Sequence, residues 1–63
     1  MKIKEFYENM NDIISELVTI IIGTEEVYKG YMYDTKVYEY LFEYTIEGIY
    51  IGNDNSITVE IIT

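Results

Sequence analysis

The chain contains no cysteine, so neither a disulfide framework nor a thiolate metal site can stabilise it. It has no histidine either, which removes the commonest general base and the commonest metal ligand. Proline is absent and only four of the 63 residues are glycine, a composition unlike that of a disordered linker or tail. Arginine is missing as well. Four lysines face twelve Asp and Glu residues, for a formal net charge of −8 at pH 7. Proteins hold nucleic acid largely through Lys and Arg that neutralise phosphates, so direct DNA or RNA binding is disfavoured. There is also no long apolar run. The longest β-branched stretch, Val18 to Ile22, is far short of the ~20 residues of a membrane span. Behind Lys2 and Lys4, the residues Glu5, Glu8, Asn9, Asn11 and Asp12 interrupt the region where a secretory signal would be apolar. A soluble, cytoplasmic protein that does not contact a membrane is expected.

What the chain does have is apolar content, 49% of residues, which is enough for one small core. A chain of this length buries only about 60% of the surface that its unfolded form exposes. A single domain over residues 1–63 is therefore expected, with little room for an enclosed active site.

The stretch Val37-Tyr38-Glu39-Tyr40-Leu41-Phe42-Glu43-Tyr44-Thr45-Ile46-Glu47 organises the reading of the rest. As an extended strand it places Tyr38, Tyr40, Phe42, Tyr44 and Ile46 on one face and Glu39, Glu43 and Glu47 on the other. The same spacing fits a helix, because the three Glu residues lie four apart. The strand is preferred here, since Tyr, Phe, Val, Thr and Ile favour a pleated surface. Upstream, Ile3, Phe6, Tyr7, Met10, Ile13 and Ile14 follow the spacing of an apolar helical stripe, which predicts a helix from Ile3 to about Asp12. The β-branched run then predicts a first strand from Glu16 to Ile22, with one helix continuing to Ile22 as the alternative. Gly23 to Glu26 reads as a turn and Val27 to Tyr33 as a second strand. Gly30 within it marks a bulge or the close approach of a backbone or ring. Asp34 to Lys36 is a second turn.

The apolar face is even up to Ile46 but odd at Ile49 and Ile51, so a bulge at Glu47-Gly48 would keep both sets in one core. Gly52 to Ser56 is the clearest turn, and Ile57 to Ile62 is the final strand. The expected fold is α+β, one N-terminal amphipathic helix packed on a four-stranded antiparallel sheet in the order α-β-β-β-β.

Candidate chemistry is sparse. Asn53, Asp54 and Asn55 resemble part of a calcium loop, but the alternating ligands and closing Glu are lacking, and a plain turn explains them better. Asp12 and Glu16 lack a third ligand. Alternate Glu residues on a strand could match the carboxylate separations of a glycosidase, yet such chemistry needs a cleft. Ser15 and Ser56 have no histidine to activate them. No catalytic residue, metal or cofactor is expected. The remaining candidate is an acidic recognition face in which Glu39, Glu43 and Glu47 repeat every ~13 Å along a strand, a spacing compatible with the phosphates of duplex DNA. Asp34, Glu25 and Glu26 would extend it, and Tyr38 and Tyr40 would add contact area with a polar tip.

The helical opening Met1-Lys2-Ile3-Lys4-Glu5-Phe6-Tyr7, the acidic stretch around Glu39, Glu43 and Glu47 and the Asn-rich hairpin Gly52 to Ser56 together resemble the small acidic inhibitors carried by phages and mobile elements. These include anti-CRISPR proteins that occupy the DNA-binding groove of a CRISPR nuclease and the phage inhibitors of uracil-DNA glycosylase. The resemblance covers the whole chain as a pattern of size, charge and element order. It implies a DNA-mimicking inhibitor that acts in the host-cell cytoplasm by binding a basic protein surface, that of a CRISPR nuclease or another DNA-binding enzyme. The competing expectations are a structural or assembly module whose apolar edge pairs with itself, as in a homodimer, or with a partner chain, and a labile antitoxin.

Overall fold

The computed structural model describes residues 1–9, 17–52 and 54–62. It contains a helix α1 (Ile3–Glu8), strands β1 (Leu17–Ile22) and β2 (Glu25–Tyr31), a short helix α2 (Thr35–Tyr38) that tightens into a 3₁₀ turn (Glu39–Leu41), and strands β3 (Thr45–Ile51) and β4 (Ile57–Ile62). The architecture is α+β with a single four-stranded sheet. The expected continuation of the first helix to Asp12, the strand start at Glu16, the Asp12 and Glu16 pair, Ser15 and Asn53 lie outside the described residues.

Ile3 and Phe6 point α1 into the core, with Tyr7 half-buried beside them, which is the i, i+3, i+4 stripe of a packed helix. At its start the Glu5 carboxylate accepts the Lys2 backbone N–H at 3.1 Å and satisfies a donor that the first turn leaves free. At its end the Asn9 side-chain amide donates to the Glu5 carbonyl at 2.8 Å. The chain entering α1 also closes part of the sheet edge. Ile46 N–H donates to the Met1 carbonyl at 2.7 Å, and Ile3 N–H to the Tyr44 carbonyl at 3.1 Å.

The sheet is mixed, not antiparallel throughout. Its order is β2-β1-β4-β3, with β1 parallel to β4 and the two outer pairs antiparallel. The expected run of neighbouring strands would have left β4 at an edge. Instead the two strands with the strongest apolar alternation, Val18 and Ile20 on β1 and Ile57, Val59 and Ile61 on β4, lie side by side in the centre. There each strand has a neighbour on both sides and its apolar residues are covered best. This order makes β2 and β3 run in the same direction at opposite edges. The chain must therefore cross the sheet between them, and the thirteen residues 32–44 do so.

That crossover is where the expected strand from Val37 to Glu47 fails, because the segment is helical from Thr35 to Leu41 and extended only from Thr45. Tyr38, Leu41 and Phe42 turn inward, at i, i+3 and i+4, whereas Tyr40 is exposed. A strand would have put Leu41 on the acidic face, but Leu41 is among the most buried side chains. Burying Leu41 together with Tyr38 selects the helical period over the alternating one.

The parity change at Glu47-Gly48 is a bulge. Ile46 lies opposite Ile61, Gly48 opposite Glu60 and Ile49 opposite Val59, so Glu47 is the extra residue, and Ile46, Ile49 and Ile51 share the core-side face. A second bulge falls at Val27, between Tyr28 opposite Ile20 and Glu26 opposite Ile21. Gly30 itself pairs regularly with Val18 and is the site of close ring approach. A methyl group there would lie 2.6 Å from the Tyr28 hydroxyl oxygen, and at Gly48 it would lie 2.8 Å from that of Tyr50. The two tyrosines differ in freedom. Tyr28 is held by Tyr38 at a ring separation of 4.7 Å, while Tyr50 is exposed and donates only to Glu60 at 3.3 Å. Gly30→Ala is therefore expected to lower stability by about 1–3 kcal/mol and Gly48→Ala by less than about 0.5 kcal/mol, as read from urea midpoints.

Candidate functional site

The outer side of the crossover carries both charged side chains and exposed rings. Its inner side is fixed by an aromatic chain. Tyr28 and Tyr38 lie 4.7 Å apart, Phe42 meets Tyr38 edge-on at 5.7 Å, and Tyr7 stacks on Phe42 at 6.2 Å. The Tyr38 hydroxyl donates to the Met32 carbonyl and ties the segment to the end of β2. Burial, then the neighbouring phenols of Tyr28 and Tyr7 and the Asp34 carboxylate, push the Tyr38 phenol well above its ordinary pKa. Burial and then Asp34 push Tyr28 up in the same way.

With Tyr38 and Leu41 turned inward, the helical period sends Val37, Glu39 and Tyr40 outward, and Asp34, at the cap position before α2, is exposed as well. Tyr40 is 67% exposed, although its hydroxyl donates to the Val27 carbonyl at 3.4 Å. Tyr33 stacks on Tyr31 at 5.3 Å, and both rings are about half exposed. Glu43 follows the 3₁₀ turn and accepts from Lys2 Nζ at 3.1 Å. Every described Asp and Glu is at least partly exposed, and this pair is the one ion pair among the described residues.

The structure thus divides the anticipated recognition residues. Asp34, Glu39, Tyr40 and Glu43 fall on one continuous segment. Glu25 and Glu26 begin β2, while Glu47 sits on the bulge of β3. With β1 and β4 between them, those two edges are about 14 Å apart at ~4.8 Å per strand. The single strand-borne row of Glu39, Glu43 and Glu47 does not exist, because Glu39 and Glu43 precede β3. Tyr38, at 2% exposure, is a core residue and not a contact residue. Sequence reasoning passed over Tyr33 and Val37. The helical alternative finds Val37, the residue before the inward Tyr38, whereas Tyr33 lies in the turn before α2 and no periodicity marks it.

The turn into β4 holds its carboxylate locally. Asp54 accepts from the Ser56 hydroxyl at 2.6 Å and from the Ser56 N–H at 3.2 Å, and these bonds hold its pKa below the ordinary carboxylate value. Among the described residues no three carboxylates lie close enough to hold a metal ion, and no helix is long and apolar enough to cross a membrane. No family model matches the chain, and no curated protein or solved structure matches it significantly.

Proposed function

We propose that the protein is a non-enzymatic binding module that covers a basic surface on a nucleic-acid-handling protein and keeps DNA away from it. A CRISPR nuclease is the target class that the resemblance to small acidic inhibitors implies. The observation that carries this reading is the crossover segment, which exposes Asp34, Glu39 and Glu43 together with Tyr33, Val37 and Tyr40. Carboxylates steer a basic partner and set register, while rings and apolar groups provide the contact area that charges alone lack. The aromatic chain beneath holds this segment in shape before binding, which lowers the ordering cost. An ordinary interface of about 800 Å² per partner would take about a fifth of the 4250 Å² accessible surface.

Competition between the protein and target duplex for a purified, guide-loaded CRISPR nuclease tests the proposal, with two variants of equal net charge. In one, Asp34, Glu39 and Glu43 are changed to Lys; in the other, Glu25, Glu26 and Glu47 are changed to Lys. The first is expected to lose about a hundredfold in affinity and the second tenfold or less, with circular dichroism confirming that both are folded. Wild-type competition should also weaken as salt rises from roughly 50 to 200 mM. Equal losses in the two variants would remove the crossover as the contact surface, and absence of competition by the wild type would remove the function.

A further inference from the structure

We propose that the second half of β3 is a self-pairing edge, through which two copies of this chain join their sheets antiparallel about a two-fold axis at Tyr50. The inference stands on the sheet and does not depend on any target.

β2 and β3 are the two edges of the sheet, and they are protected very differently. β2 carries Glu25, Glu26 and Lys29 together with the bulge at Val27, the devices that keep an edge from pairing. The first half of β3 is covered by Met1 and Lys2 and ends in the charged bulge at Glu47. Beyond that bulge, Gly48-Ile49-Tyr50-Ile51-Gly52 is a run without a charge in a chain of net charge −8. Ile49, Tyr50 and Ile51 are 38%, 57% and 71% exposed.

The backbone of this run is aimed outward. Ile46 gives its N–H to Met1 on the open side, so its pairing with Ile61 is one in which the ladder bonds face away from β4. Val59 and Ile57 follow Ile61 by steps of two and pair with Ile49 and Ile51, which therefore have the same orientation. The N–H and C=O groups of Ile49 and Ile51 thus face away from β4, on a side where no described residue pairs with them. A two-fold axis at Tyr50 places Ile49 opposite Ile51 of the second copy as a bonded pair, twice, so that four backbone hydrogen bonds close around a central Tyr50 pair. The two isoleucine pairs meet on the core-side face, and the tyrosines meet on the other. The pairing stops at Gly52, where the chain turns back toward β4: Gly52 N–H donates to the Ser56 carbonyl at 2.8 Å. The second copy therefore turns away before it reaches Met1. The crossover surface lies outside this contact, and a dimer carries it twice.

Two acidic chains repel, so this contact strengthens as salt screens them, the opposite of binding to a basic partner. Sedimentation equilibrium of the full chain across protein and salt concentration reads the difference. Wild type is expected to dimerise weakly and more tightly at higher salt. Ile51→Lys changes the most exposed member of the run and should weaken association at least about tenfold, while Tyr31→Lys on the other edge should change it less than about twofold. Hydrogen exchange provides a second readout independent of any variant, in which the Ile49 and Ile51 amides gain protection as wild-type protein is concentrated. A wild type that stays monomeric up to roughly millimolar concentration, a dimer unchanged by Ile51→Lys, or protection gained elsewhere in place of Ile49 and Ile51 would overturn the proposal.

Discussion

Tyr38→Ala is expected to abolish cooperative folding at 25 °C. Tyr38 is among the largest fully buried side chains, lies against the rings of Tyr28 and Phe42 and bonds the Met32 carbonyl. Removing a buried aromatic ring costs about 3–5 kcal/mol, against a total stability of roughly 3–9 kcal/mol for a chain of this length. Tyr38→Phe keeps the rings in contact and loses only the hydrogen bond, at about 1–3 kcal/mol including the carbonyl left unpaired, so it should still fold with a lower urea midpoint. The pair separates packing from hydrogen bonding, and it has a pH counterpart. The folded Tyr38 phenol titrates above its unfolded value of about 10, so below that pH its contribution to stability is fully present. Above pH 10 the unfolded chain loses a proton that the folded chain keeps, and stability falls by about 1.4 kcal/mol per pH unit for this group. Tyr38→Phe starts less stable but should show a shallower alkaline loss. Identical slopes in the two proteins would contradict the assignment of alkaline sensitivity to Tyr38.

Two single-residue deletions are expected to have opposite outcomes. Glu47 is the spare residue of β3, so deleting it leaves Ile46, Gly48, Ile49, Tyr50 and Ile51 alternating without interruption, with the three isoleucines still on the core-side face. That variant should fold, within about 1 kcal/mol of wild type. β4 has no spare residue. Deleting Val59 forces a choice: if the first half of the strand holds its place, Glu60 enters the core, and if the second half holds, Thr58 enters and Ile57 turns out. Each arrangement leaves a cavity or a polar group where Val59 was, at a cost of about 3 kcal/mol or more beside the lost packing of a central strand. No cooperative unfolding transition should remain. Thermal melts of the two variants check this, and a deletion at Glu47 as damaging as that at Val59 would show that the bulge is not the compensating element.

The bulge was legible because parity is a local property. Counting apolar residues on either side of Gly48 is enough to show that one residue is surplus, whichever strand the segment pairs with. The turns at Gly23 and at Gly52 to Ser56, the helical start at Ile3 and the last strand were legible for the same reason, since each depends on residues close in sequence. The crossover was not. From Tyr38 to Tyr44 aromatic residues recur at two-residue steps, while Tyr38, Leu41 and Phe42 also satisfy the three-and-four step, so both periods offer an apolar face. Strand preference of the aromatic side chains favoured the wrong one, and tertiary burial of Leu41 decided it. Four of the anticipated contact residues, Asp34, Glu39, Tyr40 and Glu43, are exposed along one segment of chain, although the row that suggested them does not exist.

By itself the amino-acid order determined the acidic balance, the lack of thiol and imidazole chemistry, the alternating apolar faces of β1 and β4 and the compensating residue in β3. Only the tertiary structure decided that β1 and β4 run parallel at the centre, that the chain crosses between the edges as a helix, and that Tyr38 belongs to the core while Tyr40 faces solvent. The division follows the range of the forces involved. Periodicity and turn chemistry act over a few neighbouring residues, whereas strand order and the choice between two competing apolar periods depend on which distant surfaces can cover one another best.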